Sequence, residues 1–162
     1  MKVIISFVIL ILFFPAMVFA GEANVTERFL FDSTFDEMVE AIKGHEDEVI
    51  LGSMGAAEVI ERNGDKLKVR VKTPIRTAEF TLQMKEDVDY RKKRSEFESH
   101  LVETDGFVTT QNTSVVSVEK NGKMLVTVKV NVVVPTVGDK LIQFEVRRSI
   151  QKMIRRINRL TE

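Results

Sequence analysis

The sequence predicts an α+β fold: a curved antiparallel sheet of about six to seven strands wrapped round a long C-terminal helix, with a short helix after the first strand. Three observations lead there. Alternating apolar and polar side chains recur through the middle of the chain, which gives each strand one dry and one wet face. Asn-Gly stands inside two of these alternating stretches, the mark of antiparallel hairpins. The C-terminal stretch then abandons the period of two for spacings of three and four.

Residues 1–20 have the order of parts of a secretory signal peptide. Lys2 supplies the positive start, Val3 to Phe14 is almost unbroken apolar sequence, and Pro15 and Val18-Phe19-Ala20 lead to a cleavage site near Ala20. The apolar run is shorter than the ~20 residues a membrane-spanning helix needs. The expectation is a periplasmic or secreted protein whose residues 21–162 form a single domain. Such a domain is large enough to hold itself together by burial. With no cysteine in the chain, neither disulfides nor thiolate metal ligands contribute. Lys and Arg number 24, as do Asp and Glu, and that balance argues against a general nucleic-acid binder.

The elements follow in order. Asn24 to Asp32, with Val25, Phe29, Leu30 and Phe31, reads as the first strand. In "STFDEMVEAIKG" the period changes: Thr34 can cap a helix while Glu37 reaches back to close a capping box. Phe35, Met38, Val39 and Ile42 share one face, and Gly44 ends the helix. "VIERNGDKLKVRV" and "VVSVEKNGKMLVTV" are the two hairpins. Three-residue loops, Arg62-Asn63-Gly64 and Lys120-Asn121-Gly122, would pair Val59 with Leu67 and Val118 with Met124 on common faces. "TAEFTLQMK" puts Phe80, Leu82 and Met84 on one side, and "SEFESHLVE" does the same for Phe97 and Leu101. The last strand, Lys123 to Val134, alternates Met124, Val126, Val128, Val130 and Val132 with polar residues for most of its length.

In the terminal helix Ile142, Val146, Ile150, Met153, Ile157 and Leu160 form one stripe. Arg148, Gln151, Lys152, Arg155 and Arg159 lie opposite. A basic amphipathic helix can meet phosphates or lie on anionic lipid. Here the dry faces of the strands need a cover, and this stripe is the large apolar surface able to supply it. The helix is therefore read as the wall of a container. Leu141 and Phe144 point away from the stripe, so they either pack under a neighbouring loop such as the one before Gly55 or border a cavity mouth.

"STFDEMVEAI", "AAEVIERNGDKLKVRV", "FESHLVETDGF" and the terminal "FEVRRSIQKMIRRINRL" together have the helix-grip arrangement. The chain resembles the START-like (SRPBCC) superfamily, particularly its polyketide cyclase/dehydrase and coenzyme-Q-binding branch. That resemblance covers nearly everything after residue 24 and implies a cavity for hydrophobic molecules between sheet and helix. Its expected lining is Phe80, Leu82, Met84, Phe97, Leu101, Val116, Val126, Val128, Leu141, Ile142, Phe144, Val146 and Ile150, residues that would equally serve as core.

No phosphate loop or nucleophile elbow appears, and His45 and His100 lack metal-binding spacing. His100 falls on the wet face of its strand. Glu79, Arg76 and Tyr90 would serve acid–base chemistry only if the register turned them inward. Asn24-Val25-Thr26 and Asn112-Thr113-Ser114 are glycosylation sequons. The leading expectation is a monomeric, exported binding or carrier protein for a lipid, quinone or polyketide-like molecule, without cofactor or metal. The alternatives are a cyclase or dehydratase, and a module whose basic helix docks on a protein or a membrane surface.

Overall fold

Gly21–Phe31 forms β1, and the chain continues through α1 (Phe35–Ile42), β2 (Ala57–Asn63), β3 (Lys66–Lys72), β4 (Thr77–Asp89), β5 (Arg94–Thr104), β6 (Thr110–Lys120), β7 (Lys123–Val134) and α2 (Asp139–Thr161). The computed structural model describes residues 21–45, 57–72, 77–106, 108–135 and 138–161. The signal-peptide reading of residues 1–20, the loop before Gly55 and Arg76 lie outside them. The strands make one antiparallel sheet in the order β1-β7-β6-β5-β4-β3-β2. A single curved sheet, a short helix after β1 and a long terminal helix constitute the helix-grip architecture.

Alternation decides which side of each strand is dry. Leu67, Val69 and Val71 of β3, Ala78, Phe80 and Leu82 of β4, and the even-numbered residues Met124 to Val134 of β7 are all buried. Their odd-numbered or polar neighbours face outward, as one-sided strands require. In β4–β5 the pairing slips between Thr81↔Glu103 and Leu82↔Leu101, a bulge that leaves Val102 unpaired and bends the sheet.

Both hairpins turn more tightly than the sequence suggests. Asn121 and Gly122 have φ of +54° and +73°, so the β6–β7 loop contains two residues, with Lys120 paired to Lys123. In β2–β3 the loop is Gly64-Asp65, with Asn63 opposite Lys66. A bulge at Ile60 then restores Val59 to the inner face across from Val69. The three-residue loops are thus replaced by two-residue turns. In the second hairpin this pairs Val118 with Leu125 and Glu119 with Met124.

The α1 capping box forms as read. The Glu37 amide donates to Thr34 Oγ1 at 3.3 Å, and the Thr34 amide donates to Glu37 Oε2 at 2.8 Å. Phe35, Met38, Val39 and Ile42 are buried. A second device holds the helix start to the sheet. The free first-turn amide of Phe35 donates to Glu119 Oε2 at 2.8 Å, and Lys93 Nζ closes on the same carboxylate at 3.1 Å.

The Phe35 amide first, and Lys93 second, hold the Glu119 carboxyl below its usual range. A folded-state pKa below the unfolded one stabilises the fold above the ordinary glutamate pKa of about 4.3, and the contribution is lost as pH falls through and below that value. Glu119→Gln is therefore expected to melt below the parent at pH 7, with the gap closing as pH approaches 3. Paired calorimetric scans across that range check this, and a pH-independent gap would contradict it.

Ile142, Val146, Ile150, Met153 and Ile157 of α2 are buried, and Leu160 packs at the margin of the core. Ser149 and Ile154 widen the buried stripe. The helix rests against β1, α1 and β7. An Arg147–Glu27 ion pair ties it to β1, and the Glu22 amide donates to Asp139 Oδ1 at 2.8 Å. Arg148, Gln151, Lys152, Arg155 and Arg159 are exposed on the other side. Among the described residues no helix is long and apolar enough to cross a membrane.

Candidate functional site

The inner face of the sheet, the side α2 covers, is where most of the residues read as cavity lining are found. Phe80, Leu82, Phe97, Val126, Val128, Ile142, Val146 and Ile150 belong to one buried cluster, with Met84 and Leu101 packed at its margin. One expectation changes. Val116 is half-buried and faces outward, while its neighbours Val115 and Ser117 are buried inward. Leu141 and Phe144 are 40 % and 60 % exposed, and the loop before Gly55 lies outside the described residues.

The phase of β6 has a chemical consequence. Its inward residues are Gln111, Thr113, Val115, Ser117 and Glu119, and β5 opposes them with Ser99, Phe97 and Ser95. Ser99 pairs with Thr113, Phe97 with Val115, and Ser95 with Ser117. Ser95, Ser99, Gln111, Thr113 and Ser117 are each at most 3 % exposed. Gln111 Nε2 donates to Thr113 Oγ1 at 3.2 Å. The Oγ atoms of Ser99 and Ser117 have no hydrogen-bond partner among the described residues. Leaving a buried hydroxyl unpaired costs about 1–3 kcal/mol, so each such atom calls for a partner.

The alternation of apolar residues does not reveal this row. In "TQNTSVVSV" the spacing of Val116 and Val118 suggests that they form the dry side, and an inward serine reads like a wet-face serine. The signal lies in pairing with β7: placing Val115 against inward Val128 puts Ser117 and Thr113 inward too.

Most charged groups at inward positions are carboxylates, and Arg62, across from buried Leu67, is a cation there. Glu27, Glu86 and Glu119 occupy inward positions of the described strands and are half-buried. Glu27 pairs with Arg147, and Glu119 with Lys93. Glu86, across from Phe97, is an inward acid that sequence reasoning did not single out.

The acid–base candidates that sequence reasoning did name sit elsewhere. Glu79 faces outward and accepts from Arg70 Nε at 2.8 Å, which holds its carboxyl below the usual range. His100 is exposed on the outer face, as its position in the alternation predicts, and Tyr90 lies in the β4–β5 turn, 52 % exposed. Among the described residues no group of three or more His, Asp or Glu is placed to hold a metal ion.

A separate groove of about 450 Å³ crosses the outer face of β1, β7, β6 and β5. Asn24, Asn131, Asn112 and His100 form one bank, and Thr26, Lys129, Ser114 and Glu98 the other. Both sequons therefore present their asparagine and hydroxyl residues on this one surface. None of the residues read as cavity lining borders it.

No protein-family model matches the sequence, and no curated protein matches it. Solved structures do. A START superfamily protein from Mycobacterium smegmatis superimposes with a TM-score of 0.61 at 11% identity, over 85% of this chain and 95% of that one. Ara h 8.0201 gives 0.59 at 13% identity, over 87% and 98%. Norcoclaurine synthase from Thalictrum flavum, in complex with dopamine and hydroxybenzaldehyde, gives 0.55 at 14% identity, over 93% and 94%. Identities this low carry the fold alone. With the strand order, the capped α1 and the covering α2, they establish that this chain has the START-like helix-grip fold.

Proposed function

We propose that this protein is an exported binding or carrier protein for a hydrophobic small molecule, held between the inner face of the sheet and α2. One observation carries the reading: buried serine hydroxyls without partners stand beside the apolar residues of the inner face. A plain core places methyl groups at such positions, whereas ligand sites are mostly apolar with a few convergent polar groups. The fold supports it, since START-like neighbours include an enzyme solved with two small aromatic molecules. Export, to a periplasm or outside the cell, rests on the composition of residues 1–20.

The test is native mass spectrometry of freshly purified protein followed by organic extraction, with titration of an environment-sensitive apolar dye. The expected result is a co-purifying apolar molecule, or saturable dye binding at one site per chain. Protein that carries nothing and binds no dye would make the inner face a closed core and defeat the proposal.

A further inference from the structure

We infer that the molecule bound on the inner face carries uncharged oxygen, as an alcohol, ketone or ester, rather than a carboxylate or an amine. This rests on the binding reading above and adds the class of ligand. Ser99 and Ser117 present two buried hydroxyls that have no partner among the described residues. A hydroxyl both donates and accepts, so it satisfies a ketone or an alcohol equally. The two serines lie on neighbouring strands four register positions apart, roughly 13 Å along the strand direction. Phe97 and Val115 make the apolar step between them. The surface therefore alternates polar, apolar, polar, with no charge among those side chains.

The surrounding charges discriminate against ions. An entering carboxylate meets the inward acids Glu27, Glu86 and Glu119, while Arg147 and Lys93 are already engaged in ion pairs and Arg62, exposed at the β2–β3 end of the face, is not free either. An anion there would lose its hydration and face like charge without gaining a cation. An amine would have to draw Glu27, Glu86 or Glu119 away from the interaction each already makes, and the serine row offers it no counter-charge. A neutral oxygen needs only the hydroxyls.

Binding of n-dodecanol, dodecanoate and dodecylamine to the full-length mature chain at pH 7, measured by displacement of an apolar dye, decides the matter. Dodecanol is expected to bind about tenfold tighter than either ion, because an ion must lose its hydration beside the inward carboxylates. The double variant Ser99→Ala/Ser117→Ala should bind dodecanol about tenfold more weakly, the worth of a hydrogen bond, while still binding the dye, its folding checked by its melting transition. The rank order in the unmodified protein stands on its own should the variant not fold. Dodecanoate or dodecylamine binding as tightly as dodecanol would overturn the inference, as would a folded variant that binds dodecanol as tightly as the unmodified protein. If the dye itself does not bind, the carrier reading falls and takes this inference with it. If all three bind alike, only the inference falls.

Discussion

An Ile150→Asp chain is expected to show no cooperative melting transition. Ile150 sits near the middle of α2, fully buried, with Val146 and Met153 buried on either side of it in the stripe. An aspartate there has no spare cation beside it, because Arg147 is already paired with Glu27 and Arg148, Lys152, Arg155 and Arg159 are exposed on the other side. Burying an unpaired carboxylate costs several kcal/mol even after it takes up a proton, and the lost isoleucine burial adds more. Against a total stability of about 5–15 kcal/mol, that is enough to unfold a domain. Differential scanning calorimetry checks it, with Ile150→Val as the control. The conservative change removes one methyl group and should cost only about 0.5–1.5 kcal/mol. A folded Ile150→Asp protein would mean that α2 is not the cover of the sheet.

The parts of the fold that were legible beforehand share one property: their apolar residues fall on a single clean period. α1 is readable from Thr34, Glu37 and four apolar residues, β7 from its alternating valines, and α2 from its stripe. The structure places each of them as that pattern requires. β6 is where the reading slips. Val116 and Val118 look like the dry side, yet the strand turns them outward and puts serines, threonine and glutamine inward. Hydrophobic alternation assumes that the inner face is apolar, so it fails at a strand whose inner face is polar. Register carries the missing information, and register is fixed by the neighbouring strand rather than by local sequence.

The same slip hid the turn. Placing Glu119 outward demanded a three-residue loop, whereas its carboxylate in fact turns in to receive the Phe35 amide, 84 residues away in sequence. Local composition cannot announce such a contact. The departure on β6 thus coincides with the candidate site, which β6 shares with Ser95 and Ser99 of β5. That coincidence is expected where a binding surface has displaced core residues.

The second large effect expected is at Phe35, whose replacement by alanine should cost about 3–5 kcal/mol. α1 has eight residues, too few to be helical on its own in water, so its place depends on what it buries. Phe35 opens the helix, is fully buried, and meets Tyr90 edge-on, with ring centroids 5.8 Å apart and planes at 87°. Its amide is the one Glu119 receives, so the ring and the backbone fix the same point of the helix by two routes. Alanine keeps the amide and removes the ring, leaving a cavity beneath α1 that the short helix must collapse into or abandon. Because α1 also packs against α2, loosening it withdraws support from the cover of the sheet. Tyr90→Ala is the informative partner. That ring is half-exposed, and its loss should cost roughly the 0.5–1.5 kcal/mol of an aromatic pair. Urea titrations of the two variants should therefore separate them by at least about 1.5 kcal/mol at similar m-values. Equal losses would mean that Phe35 acts mainly through Tyr90, and that α1 is anchored by the Glu119 carboxylate more than by the burial of its first side chain.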